Sequence, residues 1–533
     1  MRLAVLVFTI ARVATRSTSG PSAVRSALEL LRYGDLVALA RAHAQWPVST
    51  LRLNGRDVHL VSTTALGRQV CVERAALFTD RNDAGSNDAG IVSAVGDEWA
   101  RNRLALRAAL AGGDAGGGFA RLAGRACEGA AFQAVSARAG LRVAEVAPLV
   151  RATTANIIAE LILGTPPPSL GRAVWRAPPE DSSANGTAAR RLPAPRAGRG
   201  GRARRAAAAA WRAVRGRCAR VAAPPIVLAS QAWLLFAQAP WFVFAKGFTA
   251  SRAARVARVR AALGGAARRL GESDAELVRV ALAAAAAPAA AVRARAAGAE
   301  RQGAADGSGA DEADSPRGSP ESVLALLLRA GRLPTDPGVA ALLEELLVAG
   351  SATTATAALS ALVALSAQPA LARAAQGEAF ACLAALSSSE GARGDARPLP
   401  PAASWPLLCA CVREGMRLNP PAPLIFRIAT ADARLVGPSG ETLAIARAGS
   451  AVVMSAAVLA ADAAAWDGAG DFLPERWLAQ PDAVRDRRLG SMAAALAEMS
   501  FGAGPRSCAG SQLAMAVAPV IVASVLRDWP TES

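Results

Sequence analysis

A glycine-rich loop that ends in a cysteine at the start of an apolar helix constrains this chain most. The loop is residues 501–510, FGAGPRSCAG, and the apolar segment runs from Ser511 to about Arg527. Glycine lets a backbone approach another group closely. The amino end of a helix, with Arg506 nearby, favours the thiolate form of Cys508. A thiolate surrounded by backbone N–H groups suits an iron ligand; the alternative is a buried structural cysteine in an irregular turn.

Composition favours a helical protein. The chain has 533 residues, of which 52% are hydrophobic and 4% aromatic. Frequent Ala, Leu and Arg favour helices, and the length alone allows up to three domains. Apolar spacing predicts helices over residues 144–163, 337–367 and 406–418. Asn54-Gly55 between two β-prone runs predicts a hairpin, and short strands are expected up to Ser455.

The charge of the chain is strongly positive but gives little evidence of a nucleic-acid partner. The formal net charge is +18, and Lys246 is the single lysine among 60 basic residues. An excess of Arg together with abundant Ala, Gly and Pro is typical of a GC-rich coding bias. Residues 190–220 are rich in Arg but contain a single aromatic residue, Trp211, so we expect a solvated basic face and no nucleic-acid binding.

The cysteines and histidines exclude several kinds of site. Seven cysteines are scattered without a C-x-x-C pair, which fits neither a disulfide framework nor a zinc site. A reducing, intracellular compartment is the simpler interpretation. His43 and His59 are the only histidines, too few for a multi-histidine metal centre.

Several segments lie outside the predicted domain core. Residues 1–30 are basic and nearly free of acid, typical of a targeting segment for an organelle such as a mitochondrion or plastid; a degenerate membrane anchor is the alternative. Residues 166–205 and 303–320 have the composition of loops or insertions. The apolar, aromatic-rich residues 224–248 fit either peripheral membrane contact or a core or channel wall. The domain itself is expected over residues 31–533.

The cysteine loop resembles the haem-binding loop of the cytochrome P450 family, F-x-x-G-x-R-x-C-x-G. Every fixed position is present, and the matching residues are Phe501, Gly504, Arg506, Cys508 and Gly510. The resemblance implies that Cys508 is the axial thiolate ligand to the iron of haem b. It also implies that neighbouring loop residues bind the cofactor, namely Phe501, Gly502, Arg506 and Gly510.

Three further motifs resemble those of the same family. Glu414 and Arg417 match E-x-x-R on one helix face, and Arg476 in FLPERW (residues 472–477) matches the family's P-E-R. The resemblance implies a buried, charge-paired structural cluster. Trp99 and Arg103 resemble the family's W-x-x-x-R helix. Together with Arg427 and Arg506 they are implied to bind the haem propionates, because a guanidinium matches a carboxylate in shape.

The predicted helix over residues 337–367 carries a motif with one departure. Residues 349–354, AGSATT, resemble the family's oxygen-binding A/G-G-x-D/E-T-T/S. Gly350 and Thr353 are implied to widen or kink the helix, and Thr353 to help deliver protons to oxygen. The acid position, however, is occupied by Ala352. This departure makes a lyase or isomerase that needs neither dioxygen nor a reductase the main alternative.

The resemblance implies a mainly α fold with small β-sheets, one domain around one haem. The implied activity is monooxygenation of a lipophilic small molecule with O2 and electrons from a ferredoxin or flavoprotein reductase. The chain ends at Ser533, soon after Cys508, where the family pattern continues into a small hairpin. A catalytically impaired haem-binding remnant is therefore a third possibility.

Overall fold

The structure is a computed structural model. It describes residues 36–53, 56–81, 90–92, 94–111, 117–128, 130–139, 142–163, 322–324, 327, 337–388, 405–463, 465–478 and 499–529.

Helices make up most of the described residues. In chain order they are α1 Leu36–Ala42, α2 Thr64–Arg68, α3 Gly96–Ala111, α4 Gly117–Glu128, α5 Ala130–Ala139, α6 Val143–Leu163, α7 Pro337–Ser366, α8 Pro369–Ser388, α9 Pro406–Leu418, α10 Ala456–Leu459, α11 Glu475–Leu478 and α12 Ser511–Arg527. A π-helical turn, Gln69–Glu73, directly follows α2, and short 3-10 turns occupy Ala75–Leu77, Met499–Phe501 and Gly504–Arg506.

The strands form two small sheets. They are β1 Val48–Leu53, β2 Arg56–Val61, β3 Leu424–Ile428, β4 Ala433–Val436, β5 Thr442–Ala446 and β6 Ala451–Ser455. The four-stranded sheet has the order β1-β2-β6-β3, with β2 parallel to β6 and the other pairs antiparallel. The pairing of β2 with β6 brings the amino-terminal hairpin beside the strands that follow α9. β4 and β5 form a separate antiparallel pair with an irregularity at Leu435/Val436.

The long helix α7 lies at the centre of the main hydrophobic core. It packs against α6, α9 and α12, and most of its apolar side chains are buried. Gly350 permits a close approach to α6, because an added Cβ would lie 3.1 Å from Cγ2 of Ile158. Residues Glu345–Ser366 have the length and hydropathy of a membrane span, but most of this stretch is buried against protein. We therefore assign it to the core.

The local predictions agree closely with these elements. The expected hairpin is β1–β2, although β2 begins at Arg56, and residues 406–418 form α9 as predicted. The helix predicted over residues 337–367 is α7, and that over residues 144–163 is α6, which tolerates Pro148 in its first turns. The mainly helical fold class with small sheets is confirmed. The targeting segment and the three unusual segments predicted at residues 166–205, 224–248 and 303–320 lie outside the described residues.

Candidate functional site

The loop before α12 holds Cys508 through backbone hydrogen bonds. The Cys508 N–H donates to the Phe501 carbonyl over 2.7 Å, and the Ser507 N–H donates to the Gly504 carbonyl over 3.0 Å. Gly502 and Gly504 both have φ of +70°, a region that favours glycine. The Cys508 side chain is exposed, so the loop presents the thiol at its surface while its backbone is fixed behind it.

Gly504 is also a point at which the loop lies close against the π-helical turn. A Cβ on Gly504 would overlap the backbone carbonyl of Cys71, so no side chain fits here while both segments keep their positions. The contact fixes the back of the cysteine loop against the turn.

We expect Gly504→Ala to lower the free energy of unfolding by about 3 kcal/mol, because the new Cβ adds overlap to an unfavourable φ. Denaturant unfolding of the haem-free protein measures this. Gly470→Ala is the matched control, since nothing lies within 4 Å of a Cβ there. Equal stability of the two variants would contradict the packing argument.

Four arginines from separate parts of the chain gather around the loop. Arg81 donates to the Arg506 carbonyl over 2.6 Å, and Arg103 of α3 donates to the Ser507 carbonyl over 2.8 Å. Arg506 donates to the Ala94 carbonyl over 2.8 Å and lies 4.2 Å above the ring of Trp99. The last member, Arg427 of β3, is 2% exposed. Trp99 thus contacts the cysteine loop at the Arg506 side chain, and Arg103 contacts it at Ser507.

The cluster is electrostatically unfavourable by itself. Burial, together with the charges of Arg427 and Arg506, lowers the pKa of Arg81 to about 9. Burial likewise lowers the pKa of Arg506 to about 10 and also lowers that of Arg427. Within the part of the chain that the structure describes, buried nitrogens of two guanidinium groups lack a hydrogen-bond partner: Nη2 of Arg427, and Nε and Nη1 of Arg506. Buried cations of this kind call for an anionic ligand.

The electrostatics at Cys508 differ from the sequence prediction. Although Cys508 keeps access to solvent, the protein packed around it desolvates the thiol and raises its pKa; the Gly510 N–H, Arg103 and Arg81 act in the opposite direction without outweighing this. The prediction that Arg506 favours the thiolate is wrong, because its side chain is directed to Ala94 and Trp99. A coordinated metal ion, which deprotonates a thiol outright, is what would hold the thiolate form here.

Glu414, Arg417 and Arg476 are brought together by the fold. The Glu414 carboxylate accepts two hydrogen bonds from Arg417, over 2.8 and 2.9 Å, and one from Arg476 over 3.0 Å. Glu414 and Arg417 are 0% and 2% exposed. The remaining Arg417 N–H groups donate to backbone carbonyls, those of Ala460, Ala469 and Asp471.

Further donors complete the environment of Glu414. The Trp477 indole N–H donates to it over 2.9 Å and the Leu473 backbone N–H over 3.0 Å. Burial alone would raise the pKa of Glu414, but the hydrogen bonds from Arg417, Leu473 and Trp477 outweigh it and the pKa is lowered. The ring of Trp466 lies within 5.0 Å of Arg417 and 5.5 Å of Arg476. The cluster therefore joins α9 to the segment around α11.

The motif on α7 lies in one uninterrupted helix, Pro337–Ser366. The half-buried Thr353 donates its hydroxyl hydrogen to the Ala349 carbonyl four residues earlier, as proposed for a threonine that diverts a backbone carbonyl. Thr356 forms the equivalent bond to the Ala352 carbonyl over 2.8 Å. Ala352 itself is 7% exposed, so a buried methyl group occupies the position where the pattern has an acid.

The residues present fit a haem with a thiolate ligand. Cys508 supplies an accessible sulfur, and the unpartnered guanidinium nitrogens of Arg427 and Arg506 supply buried donors for two carboxylates. Both features come from one loop and its neighbours. The fold and the site together are those expected of a haem-thiolate protein.

Comparison with known proteins agrees with this class. Residues 310–532 match the sequence model of the family described as Cytochrome P450. The 3-hydroxyindolin-2-one monooxygenase of Zea mays is 35% identical over 127 residues, which are 23% of this chain and 22% of that protein. Cytochrome P450 76M5 of Oryza sativa subsp. japonica is 31% identical over 206 residues, 38% of this chain and 37% of that protein. Residues 310–532 are thus similar in sequence to the cytochrome P450 family.

A solved structure supports the same fold along most of the chain. A zebra fish cytochrome P450 determined with abiraterone has a TM-score of 0.54 and 17% identity, covering 92% of this chain and 90% of that one. The sequence matches to the curated relatives, by contrast, span only between about a fifth and two fifths of those proteins.

Sequence reasoning missed Arg81, Trp466 and Trp477 as members of these clusters. Arg81 lies in an irregular segment among many arginines, and no local pattern separates it from the others. Trp477 directly follows Arg476 in the FLPERW segment, so its position beside the P-E-R motif was the available signal.

Proposed function

We propose that the protein is a haem-thiolate monooxygenase that oxidises a lipophilic small molecule with O2 and electrons from a redox partner. The single observation that carries this is the exposed thiol of Cys508 on a fixed loop beside Arg427 and Arg506, whose guanidinium groups keep buried nitrogens without a hydrogen-bond partner among the described residues. Similarity to a protein named as a monooxygenase supports the reaction class.

Haem b, when bound, supplies an iron centre that activates O2. Cys508 would hold the iron through its sulfur, with Phe501, Gly502 and Gly510 shaping the loop around it. Arg427 and Arg506 would donate to the propionates from buried positions, and Arg81 and Arg103 would add positive charge nearby. Trp99 would keep the Arg506 guanidinium in place by stacking against it.

Thr353 and Gly350 are the proposed active-site residues of α7. The Thr353 hydroxyl can hold a proton at Oγ1 and hand it to an acceptor when its bond to the Ala349 carbonyl opens. Gly350 lets α7 pack closely on α6, which sets the position of the Thr353 side chain. With Ala352 as neighbour, no carboxylate adjoins this hydroxyl within the motif.

The redox partner is proposed to be an acidic protein, a ferredoxin or flavoprotein reductase. Arg101 and Arg107 of α3 are exposed, and Leu104 between them is 70% exposed. This face of α3 belongs to the same helix as Arg103, which contacts the cysteine loop. Opposite charge would orient the partner near the site.

The lipophilic substrate and the location of the protein rest on the sequence alone. Residues 224–248 are apolar and aromatic, which suits peripheral contact with a membrane and entry of a lipophilic compound from it. The basic, acid-poor residues 1–30 suit targeting to an organelle.

An absorption spectrum of the haem-reconstituted protein, reduced and exposed to carbon monoxide, tests the proposal. We expect a strongly red-shifted Soret band, the signature of a thiolate ligand. Product formation should then require both O2 and a reductase. A haem complex without that band would instead favour a catalytically impaired remnant.

The buried Ala352 favours one alternative, a lyase or isomerase on the same haem site. Such an enzyme would rearrange or dehydrate a peroxide without external O2 or electrons. The absence of an acid at position 352 would therefore not impair its activity. Turnover of a lipid hydroperoxide in the absence of O2 and reductase would identify it.

We expect Ala352→Asp to raise the product formed per O2 consumed, with turnover rising about tenfold or more, because a positioned acid typically contributes about 10²–10⁴-fold to proton transfer. Oxygen uptake and product formation are measured together. Ala352→Asn is the control, because an asparagine side chain has the same shape as aspartate but does not ionise and cannot act as an acid. If the two variants behave alike, the proton-delivery argument is wrong.

A further inference from the structure

The π-helical turn Gln69–Glu73 lies behind the cysteine loop and is held at both ends. The Arg74 N–H donates to the Gln69 carbonyl over 2.8 Å. The Gln69 side-chain amide exchanges two hydrogen bonds with the backbone of Val436, over 3.0 and 3.3 Å, at the irregular position of β4. Single π-helical turns often occur at functional sites. The turn places the side chain of Cys71 in the interior, where it is 2% exposed.

The Cys71 thiol lies between two adjacent strands. Its S–H donates to the Met454 sulfur over 3.8 Å. In the strand pairing, Met454 lies opposite Ile425, and Arg427 is on the same face of β3 two residues further on. The Arg427 guanidinium is therefore close to this sulfur, and its charge lowers the pKa of the Cys71 thiol against the larger, opposite effect of burial. Met454 lies on β6 and Arg427 on the neighbouring β3, so one thiol lies beside side chains of both strands.

Arg427 is the member of the cluster that these contacts orient. Its Nη1 donates to the Phe426 carbonyl over 2.9 Å, and its Nη2 is buried without a partner among the described residues. A guanidinium on a long side chain can rotate, and its five donors form a fixed fork. The bond from Nη1 to the Phe426 carbonyl and the packing of the Cys71 sulfur beside the guanidinium together restrict where Nη2 points.

We propose that Cys71 is a positioning residue for Arg427, fixing the guanidinium so that its free nitrogen faces a carboxylate of the prosthetic group. The inference rests on the proposed function, since that carboxylate is a haem propionate. The backbone of Cys71 also contacts Gly504, so the same residue supports the loop that carries the proposed iron ligand.

The first test compares haem retention in matched cysteine variants. Haem transfer to an excess of apomyoglobin gives the dissociation rate for the wild type, Cys71→Ala, Cys71→Ser and Cys382→Ala. Cys382 is equally buried but lies on α8 in the main core, away from the arginines. We expect about tenfold faster loss of haem from Cys71→Ala, in the range for groups that orient a ligand of a metal site. Cys71→Ser should restore most of the retention, and Cys382→Ala should match the wild type.

The second test separates positioning from general destabilisation. Cys71→Ala is combined with Arg427→Gln, and unfolding of each haem-free variant is recorded alongside. We expect Cys71→Ala to add little to the dissociation rate once Arg427 is replaced, because the thiol acts through that arginine. The reduction potential of the haem should shift in Cys71→Ala and not in Cys382→Ala.

Two results would overturn the inference alone: equal haem loss from Cys71→Ala and Cys382→Ala, or an undiminished effect of Cys71→Ala in the Arg427→Gln background. A wild-type protein that takes up no haem would overturn the proposed function and the inference with it. The wild-type spectrum therefore distinguishes the two failures.

Discussion

Cys508→Ala is expected to take up haem but to lack the strongly red-shifted Soret band of the reduced carbon monoxide complex, and to form no product above background. The arginines that would bind the propionates are untouched by the substitution, so the cofactor can still enter. The thiolate, which supplies electron density to the iron, is lost. Reconstitution followed by the reduced spectrum measures both effects.

Cys411→Ala is the matched control for this substitution, since Cys411 is buried in α9 and away from the loop. Its spectrum should equal that of the wild type. A red-shifted band of full intensity in Cys508→Ala would show that another residue ligates the iron, and the site assignment would fail.

Glu414→Gln is expected to lower the free energy of unfolding by about 3–5 kcal/mol, the usual cost of breaking a buried ion pair from one side. The substitution leaves the buried Arg417, and Arg476 beside it, without their carboxylate. Denaturant unfolding of the haem-free protein measures the change. Glu441→Gln, in the exposed turn between β4 and β5, should leave stability within about 0.5 kcal/mol of the wild type.

The stability difference between wild type and Glu414→Gln should depend on pH in a defined direction. Because the pKa of Glu414 is lowered in the folded protein, its contribution is complete above the ordinary carboxyl pKa. It is lost as the pH falls through the lowered pKa of the folded state. The two proteins should therefore converge in acid, and a difference that stays constant to low pH would contradict a charged Glu414.

The sequence by itself determined the elements that local chemistry controls. The start of α9 at Pro406 and its end before Asn419-Pro420-Pro421 follow from the fixed φ of proline and its effect on the preceding residue. The hairpin β1–β2 follows from Asn54-Gly55 between β-prone runs. The Cys508 loop was identified for the same reason, because its glycines and the helix after it lie within one short segment.

Only the tertiary structure decided which distant residues meet at that loop. Arg81, Arg103, Arg427 and Arg506 come from four separate segments. Motif resemblance named the last three, but no local pattern indicated Arg81 or showed that the four side chains meet. The parallel pairing of β2 with β6 and the packing of the π-helical turn bring them together. Burial then makes the electrostatic interactions among these arginines strong, because charges interact most strongly where water is excluded.

Long-range packing also explains why the sequence prediction about the Cys508 thiol was wrong. Sequence spacing placed Arg506 two residues from the cysteine, and proximity along the chain suggested an electrostatic effect on the thiol. The fold instead directs Arg506 to Ala94 and Trp99 and brings Arg81 and Arg103 toward the sulfur. Side-chain direction and desolvation depend on long-range packing, so the sequence determined which residue carries the thiol and the tertiary structure determined its environment.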